Sequence, residues 1–245
     1  MMEVGEVAEA GAVDLAVVVV LGVAAAVDLA VVVHQEDGNM KKIEEAVRKA
    51  ELKTSGEIVP IIYDKCSNTS FVFPLLFLVL FFFWHSVQDS FFPVNYWEGN
   101  LFLQLGLPPI LTGFIAYALS RSRFVQRLLV PRSRREKVIQ DRAELEFYRC
   151  GISNTQGRTG ILLFVSLMER YSVVLADKAI NDKLPPETWK EVLEILNSQM
   201  NEKDLEKGFV PAIEKCGELL ANHFPRDPKD TNELPNYPIL RQDYQ

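Results

Sequence analysis

Three cysteines in 245 residues, Cys66, Cys150 and Cys216, stand far apart and never as CxxC. That spacing excludes a disulfide framework and a cysteine zinc site, and it suits a reducing compartment in which each thiol is a small core residue. Histidine is as scarce. His34, His85 and His223 stand apart and offer no nucleophile–base pair by spacing. The usual hydrolase signatures are also missing: no Cys followed five residues on by Arg, no DxDx[TV], no GxSxG elbow and no Walker loop. Residues 1–39 contain no Lys or Arg but seven acids, leaving 26 acids against 26 bases from residue 40 onward. The body of the chain is therefore neutral, and no nucleic-acid partner is expected.

What the chain has in quantity is apolar sequence in two runs. Phe71–Trp84 is 14 residues with seven aromatics, and Leu101–Leu119 is 19 residues broken in polarity only by Gln104 and Thr112. At ~1.5 Å per residue the second run nearly crosses a hydrocarbon core of roughly 30 Å. The first does so only if its helix continues through His85–Phe92. The connecting segment, His85–Asn100, has no Lys or Arg, whereas Arg121, Arg123, Arg127, Arg132, Arg134, Arg135 and Lys137 follow the second run with only Glu136 opposing them. This asymmetry is the positive-inside signature, with Trp84, Tyr96 and Trp97 as interfacial aromatics. The expectation is a transmembrane hairpin over residues 71–119 whose flanks share the cytoplasmic side. The lipid bilayer and other membrane proteins are then the expected partners.

The flanks read as one α/β domain cut in two. Lys41–Leu52 places Ile43, Ala46, Val47 and Ala50 on one helical face. Thr54-Ser55-Gly56 stops that helix, with Gly56 a candidate left-handed closing residue. Glu57–Asp64 is a strand in which Pro60 argues for a free or bulged edge. Beyond the hairpin, Arg134–Cys150 is a charged helix closed by Gly151. Ile161–Leu167 is a nearly continuous apolar strand of the kind found centrally in a sheet. Glu169-Arg170 turns the chain into Tyr171–Ala176 as an antiparallel hairpin. Pro185-Pro186 opens a helix through about Asn201, and Asp204 is the expected cap of a last helix ending near His223–Pro225. The domain then comprises residues 40–66 and 132–225, with 226–245 an extended tail. Residues 1–39, in which AVDLAVVV occurs twice, read as a low-complexity leader.

Two acids at strand ends, Asp64 and Asp177, are candidate ligands for a hard cation such as Ca²⁺ or Mg²⁺. Open α/β sheets place ligand crevices at the carboxyl ends of their strands. Asp182 is a candidate third ligand. Arg158 is a candidate phosphate-binding residue or, equally, the structural ion-pair partner of Glu57.

The segments Thr54–Pro60 (TSGEIVP), Gly157–Val165 (GRTGILLFV) and Val174–Ile180 (VLADKAI), with Trp189, Gly208-Phe209, Ala212-Ile213 and Gly217–Leu220, resemble the TPM domain. The tail Asp230–Asn236 (DTNELPN) is similar to that of its bacterial membrane subgroup, which carries two transmembrane helices after the first strand. The resemblance implies a mixed-sheet α/β sandwich with helices on both faces, interrupted after its first strand by the transmembrane hairpin, in a bacterial inner membrane. For activity it implies an interaction or assembly module or, as the alternative, a phosphatase dependent on a divalent cation, since both phosphatase activity and cation binding occur among relatives.

Overall fold

The computed structural model describes residues 38–91, 106–198 and 204–241. Most of the leader, the loop aromatics Tyr96 and Trp97, and the first residues of the second apolar run lie outside the described residues. A helix over 38–51, α1, leads into strand β1 (Glu57–Tyr63), and the chain then leaves the sheet for α2 (Val72–Phe91) and α3 (Leu107–Ser120). It returns through a short helix, α4 (Arg123–Leu129), and the long α5 (Arg132–Arg149) to β2 (Gly160–Ser166) and β3 (Tyr171–Ala176). The helical turn α6 (Lys178–Asn181), a 3₁₀ turn at Pro186–Trp189, α7 (Lys190–Ser198) and α8 (Leu205–His223) follow, and β4 (Ile239–Arg241) lies in the tail.

The four strands form one mixed sheet in the order β3-β2-β1-β4. β1 runs parallel to β2 and to β4, while β3 is antiparallel to β2. All seven residues of β1 and all seven of β2 are buried, because helices cover both faces. Alternation divides their side chains between two cores. Ile58, Ile62, Ile161, Leu163 and Val165 pack with the apolar faces of α1, α7 and α8. Val59, Ile61, Tyr63, Leu162, Phe164 and Val173 pack with Ile139, Ala143 and Phe147 of α5.

Three local expectations need correction. Gly56 does not have positive φ; a Cβ there would lie 2.9 Å from Leu220 Cδ1, so space and not handedness favours glycine. The left-handed glycine is Gly151, φ 70°, closing α5. Asp204 makes no side-chain cap to α8 and pairs instead with Lys207 at 2.8 Å. The tail does not simply run along the surface. Ile239, Leu240 and Arg241 add to β1 opposite Ile61, Ile62 and Tyr63, so β1 is interior, and the pairing stops one residue short of Pro60.

The hairpin also differs from its reading. α2 does continue to Phe91, 20 residues in all, but His85, Gln88 and Asp89 interrupt its apolar character. α3 begins at Leu107 and is 14 residues, about 21 Å at the helical rise. Among the described residues, no helix is long and apolar enough to cross a membrane. The two helices pack on each other, Phe77 lying against Gly113, and leave Phe82 and Phe114 67% and 73% exposed.

Candidate functional site

The sheet has two dissimilar ends. At one end are the last residues of β1 and β2, the start of β3 and both roots of the helical hairpin. Here acids meet dedicated partners. Asp64 accepts from Arg123 at 3.1 Å. Glu169, buried, accepts the backbone N–H groups of Ser67 (2.7 Å) and Cys66 (3.2 Å) and a short hydrogen bond from the Ser166 hydroxyl. Arg127 donates to the carbonyls of Met168 and Leu167. Glu146, 1% exposed, accepts from the Tyr63 hydroxyl at 2.9 Å and pairs with Arg241 at 3.4 Å. Burial, and then the hydrogen bond to Glu146, push the Tyr63 phenol well above its usual pKa. The half-buried Cys150 thiol is pushed up by burial and the same carboxylate.

At the other end lie the starts of β1 and β2, the end of β3, and residues 224–236. TSGE, GRTG, the Asp177 segment and DTNELPN all converge here. Glu57 N donates to Thr159 O at 3.1 Å, and the Thr159 hydroxyl donates to Ser55 O at 2.8 Å. Asp177 N donates to Gly160 O at 2.9 Å, and Ala179 N to Arg158 O at 3.2 Å. The Thr54 hydroxyl donates to Phe224 O at 2.6 Å, and Gln156 N to the Glu233 carboxylate at 3.0 Å. Gly160 is required by close approach: a Cβ would stand 2.5 Å from the Ile152 carbonyl oxygen.

Between α1, the start of β1 and the tail is a cleft of about 270 Å³, lined by Glu51, Thr54, Glu57, Arg226, Asp230 and Asn236 among others. Glu51 accepts from Ile58 N at 3.0 Å and takes a short hydrogen bond from the Asn236 amide. Burial, with the Glu57 charge adding to it, pushes the Glu51 pKa up to about 8. Glu57 accepts from Glu233 N (3.2 Å) and Leu234 N (3.4 Å), yet burial and the nearby Asp230 and Glu233 still raise its pKa. Crowded carboxylates held in this way favour a positive occupant, whether a proton, a metal ion or an ammonium or guanidinium group.

This geometry redistributes the residues singled out in the sequence. Asp64 and Asp177 are at opposite ends of the sheet, about 20 Å apart along six strand rises, so one ion with ligands at 2.3–2.6 Å cannot join them. The reason is topological. β3 runs antiparallel to β2, so its carboxyl end lies beside the amino ends of β1 and β2. Asp177 caps α6, one oxygen accepting from Lys178 N at 2.7 Å, while its Oδ2 is buried with no hydrogen-bond partner. Asp182 is exposed at the C-cap of α6. Arg158 is exposed with φ +53° and makes no ion pair with Glu57, whose carboxylate is taken by the tail backbone. Among the described residues, no three His, Cys, Asp or Glu side chains converge as a metal cage, so the set Asp64, Asp177 and Asp182 does not fit a shared Ca²⁺ or Mg²⁺. Sequence reasoning missed Glu51, which is one more charge on an amphipathic helix until the tail folds over it.

The TPM domain matches residues 118–219. Those residues carry a TPM domain. The match runs from the end of α3 into α8 and so excludes β1 and the tail, yet both are hydrogen-bonded into the same sheet as β2 and β3. The NMR structure of BA42 protein from the psychrophilic bacterium Bizionia argentinensis shares this fold, with a TM-score of 0.51 and 22% identity over 83% of this chain and 93% of that one. No curated protein matches the sequence.

Proposed function

We propose that this TPM-domain protein is an interaction or assembly module held at a bilayer by the α2–α3 hairpin, with the domain and C-terminus on the Arg-rich, cytoplasmic side. One observation carries the reading. The hairpin presents Phe73, Leu78, Val79, Phe82, Ile110, Phe114 and Ile115 outward, an apolar surface far larger than a water-facing helix pair tolerates. The one polar side chain buried in α3 is satisfied within its own helix, Thr112 Oγ1 donating to Pro108 O at 2.8 Å, as hydrocarbon requires. The acidic cleft lies at the sheet end away from the hairpin roots, free of the bilayer and open to a cationic segment of another membrane protein. Carbonate-washed membranes should retain the full chain, and crosslinking from them should recover a defined partner that Asp230→Asn, in the cleft lining, releases. Extraction by carbonate alone would overturn the anchoring.

A second reading, a divalent-cation-dependent phosphatase, has the buried and unpartnered Oδ2 of Asp177 in its favour, with Arg158 hydrogen-bonded to the next turn. It predicts cation-stimulated phosphate release that Asp177→Asn abolishes without unfolding the domain. Release unchanged in that variant would remove Asp177 from the site.

A further inference from the structure

We infer that α4 is an interfacial helix that seats Phe124 and Leu128 among anionic phospholipid headgroups, a deepening that rests on the membrane reading above. α4 has two adjoining faces about 100° apart around the helix. Arg123 and Arg127, four residues apart, turn toward the domain, the first onto Asp64 and the second onto the carbonyls of Leu167 and Met168. Phe124 and Leu128, also four apart, form the neighbouring face and are 72% and 73% exposed. Two large apolar side chains on one face of a seven-residue helix need a cover. α4 begins three residues after α3 ends, so this face stands at the root of the apolar hairpin in the chain.

The flanking charge identifies the cover. Arg121, exposed and resting over the Tyr117 ring at 5.5 Å, precedes α4, and Arg132 and Arg134, both exposed, begin α5 immediately after it. Glu136 is the one acid among residues 121–137, and it already pairs with Arg132 at 3.1 Å. A protein surface could cover two apolar side chains, but exposed guanidinium groups flanking them on both sides in the chain, at the base of an apolar hairpin, match a phosphodiester-rich interface. There apolar tips enter the acyl boundary while the bases meet headgroup phosphates.

The test uses the full chain in vesicles, with Cys66 and Cys150 replaced by Ala, Cys216 left buried, and an environment-sensitive NBD label on Leu128→Cys. Co-flotation of the protein with vesicles reports on the membrane reading separately from the label. In vesicles of 30% phosphatidylglycerol the label should emit as in an apolar medium and be quenched by shallow nitroxide-labelled lipid. In pure phosphatidylcholine both signals should weaken. In mixed vesicles Arg121→Gln with Arg134→Gln should reduce the preference for phosphatidylglycerol by roughly 30-fold, at about fivefold per base. A floating protein whose label stays water-like overturns the interfacial helix. A label equally buried in phosphatidylcholine overturns the selection of anionic lipid. A chain that does not float overturns the anchoring first.

Discussion

The two ends of the sheet handle their acids in opposite ways. At the hairpin roots each carboxylate has a designated partner: Asp64 has Arg123, Glu169 has two backbone N–H groups and a hydroxyl, and Glu146 has Arg241 and Tyr63. At the remote end Glu51, Glu57, Asp230 and Glu233 crowd together, and burial, with neighbouring carboxylates adding to it, raises the pKa values of the first two. The first arrangement is that of a joint, and the second gathers carboxylates around a cleft that Arg48 and Arg226 also line. Strands of seven residues keep the two apart, so a change at one end should leave the other undisturbed.

The largest expected effect breaks the joint. Glu169→Ala leaves the N–H groups of Cys66 and Ser67 and the Ser166 hydroxyl without their acceptor in a buried place. At 1–3 kcal/mol for each orphaned group after partial relaxation, the loss should be about 4 kcal/mol. Urea denaturation of the detergent-solubilised chain measures it. A loss below ~1 kcal/mol would mean that the hairpin is not locked to the β2–β3 turn through this side chain.

Next comes the site. A carboxyl whose folded-state pKa stands near 8, against an ordinary 4.5, binds more protons in the folded than in the unfolded chain between those values. Stability from Glu51 is therefore fully present below about pH 4.5 and declines as pH rises through 8. Glu51→Gln should remove that slope, and at pH 8.5 it should be more stable than the parent by about 3 kcal/mol, the full shift being discounted for partial exposure. The Asn236 amide can rotate to accept from the new donor. Parallel pH profiles for parent and variant would show that Glu51 is not the strained group.

Gly160→Ala is the third test. A methyl 2.5 Å from the Ile152 carbonyl oxygen must push back the 3₁₀ turn at Ile152–Asn154, an overpacking cost of about 2 kcal/mol. Its consequence should fall on the remote end, moving Thr159 and through it Ser55, while the hydrogen bonds of Glu169 persist. Amide exchange that rises at Cys66 and Ser67 as well would mean that the two ends are coupled.

Much of this frame is legible in residues 40–225. The alternating and continuous apolar patterns locate β1, β2 and β3, and the tight Glu169-Arg170 turn makes the last two antiparallel. That turn also contradicts a shared Asp64–Asp177 crevice. The rule that ligands gather at carboxyl ends applies to parallel strands, and an antiparallel third strand sends its carboxyl end to the opposite edge. Two other features escape any local pattern. β4 is three residues in a proline-rich tail, too short for periodicity, and exists because β1 offers an open edge. Glu51 gains its character from burial, with the Glu57 charge adding to it, and its partner Asn236 is 185 residues away in sequence.

The smallest effect separates a joint from a site most directly. Asp64 and Arg123 are each more than two-fifths exposed, and an exposed ion pair contributes 0–1 kcal/mol. Asp64→Asn should therefore cost less than about 1 kcal/mol, diminishing with salt, and should leave any stabilisation by Ca²⁺ or Mg²⁺ unchanged. Asp177→Asn, at the other end, removes the side chain whose second oxygen is buried without a partner, and should alter whatever cation response the protein has. A Ca²⁺-dependent rise in thermal midpoint that disappears in Asp64→Asn but survives in Asp177→Asn would return the cation to the hairpin end and reverse the roles given to the two ends of the sheet.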